Sequence, residues 1–71
     1  MKDELIKLMN ENKRVRLTCI FGKSEPIFYT CRIKRVGEDF IVIEDKYGNE
    51  VVLDLDTIAK VEVEKDDNKN R

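Results

Sequence analysis

The chain contains no histidine, no tryptophan and no glutamine, and among its 71 residues it has one proline, three glycines and two cysteines. Without histidine there is no imidazole base, so neither a Ser-His nor a Cys-His pair can be assembled. Gly22, Gly37 and Gly48 each stand alone, which leaves no glycine-rich phosphate loop. Two cysteines without histidine supply only half of a tetrahedral zinc shell. The sequence therefore reads as a non-enzyme that uses no cofactor and no metal. No apolar run approaches the roughly 18 residues of a membrane span, and the opening "MKDELIKLMNEN" is too polar for a signal peptide. A cytoplasmic protein without a membrane partner is expected. The "KDEL" at residues 2–5 is a retrieval signal only at a C-terminus and carries no address here.

What is present is charged and hydrophobic residues in equal measure, 41% each, which suits one small folded domain. A domain of roughly 60 residues buries only about 60% of its unfolded surface, so so short a chain commonly needs a second stabilising device such as association. Abundant Lys and Glu with no Gln is a thermophile tendency, since hydration of ions becomes less favourable on heating; five Asn residues pull the other way.

Periodicity divides the chain. Residues 3–12, "DELIKLMNEN", place Leu5, Leu8 and Met9 at helical spacing, with Asp3 and Glu4 where the helix dipole favours anions. "RVRLTCIFG" alternates with period two, Val15, Leu17, Cys19 and Phe21 facing one way, until Gly22 ends it. After "KSEP", a second strand "IFYTCRIKRV" alternates through Tyr29, Cys31 and Ile33, and then Val36 falls on the wrong parity. A β-bulge or sharp bend near Lys34 and Arg35 is what such a slip predicts. Gly37 opens a turn into "DFIVIED", a nearly continuous apolar run that can be buried on both faces. "KYGN" turns the chain into "EVVLDL", "DTI" allows a single tight turn, and "AKVEVE" forms a fifth strand. The expected core holds Val15, Leu17, Phe21, Ile33, Ile41, Val42, Ile43, Val51, Leu53, Ile58 and Val61. The last stretch, "KDDNKNR" (65–71), has no apolar residue and reads as a disordered polar tail behind a folded domain of residues 1–64. One helix followed by five short strands with tight turns predicts a mostly β fold, a small bent five-stranded antiparallel barrel of SH3-like or OB-like type.

The order of helix, strand, bent strand, two strands with short turns and a one-turn break before the last strand resembles the Sm-like (LSm) proteins, including the Hfq-related RNA chaperones, over residues 3–64. "RVGEDFIVIED" looks like the first Sm motif, with a glycine-containing turn, an aromatic at Phe40 and a β-branched strand. The resemblance implies self-association through strands four and five, closing a ring of six or seven subunits, and binding of single-stranded RNA. It also implies that Phe40 stacks a base. Family members carry an Arg-Gly or Lys-His pair in the turn before strand five; here the turn is "LDLDTIAK", with Asp54 and Asp56 at that place.

Charge is distributed unevenly around a net value of −1. Residues 13–35 hold seven basic side chains against the single acid Glu25, whereas residues 38–56 hold seven acids against the single base Lys46. Arg16, Arg32, Lys34 and Arg35 are thus candidate phosphate contacts. The competing reading is a solvated face, or one paired with the acidic half across subunits. Phe40 is either a base platform or core. Cys19 and Cys31 lie directly opposite if the first hairpin is centred near Glu25, which makes a cross-strand disulfide one reading and two buried thiols the other. A non-catalytic protein-interaction or scaffold module of SH3-like type, without RNA, is the alternative to an RNA-binding ring.

Overall fold

The computed structural model describes residues 1–64; the tail expected at 65–71 lies outside the described residues. It contains α1 (Lys2–Asn10), β1 (Arg14–Cys19), β2 (Ile27–Val36), β3 (Phe40–Asp45), β4 (Glu50–Asp54), a single 3-10 turn (Leu55–Thr57) and β5 (Ile58–Val63). The strands form one antiparallel sheet in the order β4-β3-β2-β1-β5. No helix is long and apolar enough to cross a membrane among the described residues.

Helix α1 has nine residues, too few to be stable in isolation, and it holds by burying Leu5 and Leu8 against the sheet, chiefly β2. Asp3 and Glu4 sit in its first turn and Lys7 in its last, each complementing the helix dipole. The helix ends in a Schellman arrangement. Asn12 takes a left-handed backbone (φ 53°), its N–H donates to the Met9 carbonyl at 3.0 Å, and the Lys13 N–H donates to the Leu8 carbonyl at 3.1 Å.

In β1 the alternation holds: Val15, Leu17 and Cys19 are fully buried, while Arg14 and Arg16 point outward. β2 slips register against β3 between Ile33 and Arg35, so Lys34 is the extra residue of a bulge. This returns Val36 to the inner side, where it packs against the core. β3 departs from expectation. Ile41 and Ile43 are fully buried, but Val42 faces outward beside Val52, which is 66% exposed, so the apolar run has one buried face and one wet face. Val42 therefore leaves the core, and Leu5, Leu8, Cys19 and Cys31 join it. Each fully buried aliphatic side chain contributes roughly 1.5–3 kcal/mol relative to exposure.

The β3–β4 turn is tied by Asp45, whose Oδ1 accepts hydrogen bonds from the Tyr47 and Asn49 N–H groups, both at 2.9 Å, while Gly48 supplies a φ of 85°. The 3-10 turn docks back on the β2–β3 turn, the Leu55 N–H donating to the Asp39 carbonyl at 3.0 Å. β5 then pairs with β1, with one further register shift opposite Thr18 and Cys19. The sheet is not closed within the chain: β4 and β5 are its two edges.

Candidate nucleic-acid interface

Because β-strand side chains alternate between faces, the residues on the wet face of the sheet follow from the ladder. One transverse row carries Glu62, Arg16 and Thr30 on β5, β1 and β2. The next carries Arg14, Arg32, Glu44 and Glu50 on β1, β2, β3 and β4. Arg16 and Arg32, singled out from the sequence, thus share one face with Arg14, but acids stand among them. Arg14 Nε lies 3.9 Å from Glu64, Lys34 Nζ lies 3.6 Å from Glu44, and Lys60 Nζ lies 3.6 Å from Glu62. All three pairs are solvent-exposed, and such pairs contribute ~0.2–1 kcal/mol each.

The cations have different surroundings. The Arg16 guanidinium lies over the Phe28 ring, 4.7 Å from its centroid, and Phe28 is 55% exposed. Arg35 lies over Phe40 at 5.5 Å. Lys34 occupies the bulge and is engaged by Glu44. Arg32 is the exception, with its Nε buried and without a hydrogen-bond partner among the described residues. An unpaired buried donor costs roughly 1–3 kcal/mol.

Phe40 is half-buried and lies outside the buried core cluster. One side of its ring rests on Gly37, so closely that a Cβ at residue 37 would overlap the ring. The Gly37 N–H donates to the Phe40 carbonyl at 2.7 Å, closing the turn beneath it. Across the ladder Phe40 stands opposite Asp54. The ring is thus bordered by one cation, Arg35, and one anion, so its surroundings hold no excess of positive charge from these two residues.

Of the two readings of the cysteines, the register overturns the one that sets them directly opposite each other. Arg14 pairs with Arg32 and Cys19 with Ile27, which centres the first hairpin on Lys23 rather than near Glu25. Cys31 therefore faces Val15, and Cys19 and Cys31 are not opposite each other. Both are buried free thiols. Burial pushes the Cys31 thiol up to about 12, helped by the neighbouring Cys19 and Asp45, and burial raises Cys19 too against a hydrogen bond with Thr57. Protonated at neutral pH, they are poor nucleophiles.

Three residues of this face escape sequence reasoning. Phe28 has the parity of Thr30 and Arg32, which is the signal that would have placed it outside. Arg14 and Lys46 line the same shallow cleft as Arg32, a juxtaposition that depends on the hairpin register. No family model, no curated protein and no solved structure matches the chain.

Proposed function

We propose that the chain is a non-catalytic Sm-like module that associates through its β4 and β5 edges into a closed homo-oligomeric ring and carries single-stranded RNA. The observation that carries this reading is the strand order. A sheet ordered β4-β3-β2-β1-β5 leaves one unpaired backbone row at each end, on two strands that follow each other directly in the chain. Pairing β4 of one copy with β5 of the next satisfies both rows with no new element, and repetition of that heterologous contact closes a ring. Closure of the barrel and of the ring belong to the same proposal. Phe40 with Arg35 above it forms the base platform, and Arg16 and Arg32 on the wet face supply phosphate contacts.

The test is native mass by light scattering on nuclease-treated protein at low and high salt, with the nucleic-acid absorbance of untreated material measured alongside. The expected result is a discrete species of six or seven subunits that co-purifies with RNA; a monomer free of nucleic acid at both salt concentrations sinks the reading. The interspersed acids favour a second reading, a protein-interaction module of SH3-like type that does not bind RNA. A ring without nucleic acid, unmoved by added oligonucleotide, selects it.

A further inference from the structure

The geometry points to an oxyanion site of phosphate type on the wet face, between β1, β2 and the β3–β4 turn, built by Arg14, Arg32 and Lys46 with the Thr30 hydroxyl. These residues line a small, shallow cleft of about 30 Å³ whose other walls are Cys31, Glu44 and Asp45. Two independent features call for an anion there. The first is the ladder, which sets Arg14 directly opposite Arg32, a like-charge cross-strand pair that is unfavourable unless something negative lies between. The second is Arg32 Nε, a buried N–H with no acceptor among the described residues.

The acids of the cleft do not supply that acceptor. Glu44, the cross-strand neighbour of Arg32 on β3, is 3.6 Å from Lys34 Nζ. The Asp45 Oδ1 is held by two backbone N–H groups of the turn. Arg14 keeps only a 3.9 Å approach to the exposed Glu64, and Lys46 rests 5.5 Å from the Tyr47 ring, so both are free to swing toward a ligand. Two guanidinium groups can take an oxyanion through paired N–H donors, with an ammonium as a third point of charge.

The shared chemistry is a phosphate oxyanion, and its source is either an RNA backbone, in which case the site rests on the function proposed above, or free phosphate. The experiment is a backbone amide NMR and thermal-unfolding titration of the full chain with inorganic phosphate against chloride at matched ionic strength. It includes wild type, Arg32→Gln and the control Lys23→Gln, an exposed turn residue outside the cleft. The expected result is saturable shifts confined to residues around 14, 30, 32 and 46. At about tenfold excess over Kd, the melting temperature should rise by roughly 6–11 °C in wild type and Lys23→Gln and not in Arg32→Gln. Shifts spread evenly over the face, or an Arg32→Gln response equal to wild type, overturn the site. If Arg32→Gln fails to fold, the wild-type shift map alone decides.

A second arm uses a short oligouridine. A salt slope that drops by about 0.7 in Arg32→Gln assigns the phosphate to RNA. If phosphate saturates the cleft while oligouridine neither binds nor competes, the site stands as a free-phosphate site and the RNA reading fails. If oligouridine binds with a slope indifferent to Arg32 and phosphate has no effect, the site fails and the RNA reading stands.

Discussion

Cys31 couples stability to alkaline pH. Its thiol ordinarily ionises near 9.0, and burial in the folded chain raises that to about 12. Folding therefore favours the protonated thiol, so its contribution is complete below pH 9 and is lost progressively between about pH 9 and 12, as the unfolded chain gains thiolate first. Urea unfolding at pH 8 and pH 10.5 should show a lower midpoint at the higher pH, and Cys31→Ala should shrink that difference. An unchanged difference would assign the alkaline loss to other groups. Gly37 matters for a different reason. Its backbone φ is not in the left-handed region, so its need for glycine comes from the Phe40 ring packed against it. Gly37→Ala must displace the ring or the turn, and a loss of about 1–3 kcal/mol in chemical denaturation is expected, as for overpacking elsewhere. A variant as stable as wild type would show that the ring moves freely, and would leave Phe40 available for stacking.

The strands show which parts of the pattern were readable. The bulge at Lys34 was legible because Val36 breaks the two-residue period; a single tight turn before β5 was legible too, but it falls at Leu55–Thr57, one residue ahead of the expected "DTI" at 56–58, so Leu55 leaves β4 and Ile58 opens β5. β3 was not. In "FIVI" every side chain is apolar, so alternation has no contrast, and only the packing of the core on the face of Ile41 and Ile43 leaves Val42 and Val52 on the opposite, wet face. The first hairpin was mis-centred for a related reason: "GKSEP" holds several turn-forming residues and none fixes the midpoint. That two-residue error separated the cysteines and hid the meeting of Arg14 with Arg32. The two faces of β3 give a direct test. Ile43→Ala should cost about 2–5 kcal/mol because it empties a fully buried site, whereas Val42→Ala should cost under about 1 kcal/mol. Equal costs would mean that the wet face of β3 is covered in solution. At the other end of the domain, Asn12→Val places a β-branched residue in a left-handed cap and should lower stability by about 1–2 kcal/mol, while Asn12→Gly should be neutral or better.

At the scale of the molecule the charge pattern seen in the sequence is folded into alternating rows, not into two poles. Basic β1 and β2 are central and are flanked on the wet face by Glu62 on one side and by Glu44 and Glu50 on the other. The edges are where this arrangement has consequences. β4 offers an outward Val52 between Glu50 and Asp54, and β5 offers Lys60, Glu62 and Val63. An edge strand left bare in a small β protein usually carries a lysine that discourages pairing, and β4 has none. Val52→Lys supplies it. Since Val52 is 66% exposed and outside the core, the substitution should leave the stability of the single chain within about 0.5 kcal/mol. Under the proposed edge-to-edge assembly the same substitution places a charge at the centre of the β4 contact, so native mass should fall to that of one subunit while the circular dichroism spectrum stays unchanged. An assembly of wild-type mass in Val52→Lys would remove β4 from the contact and with it the ring.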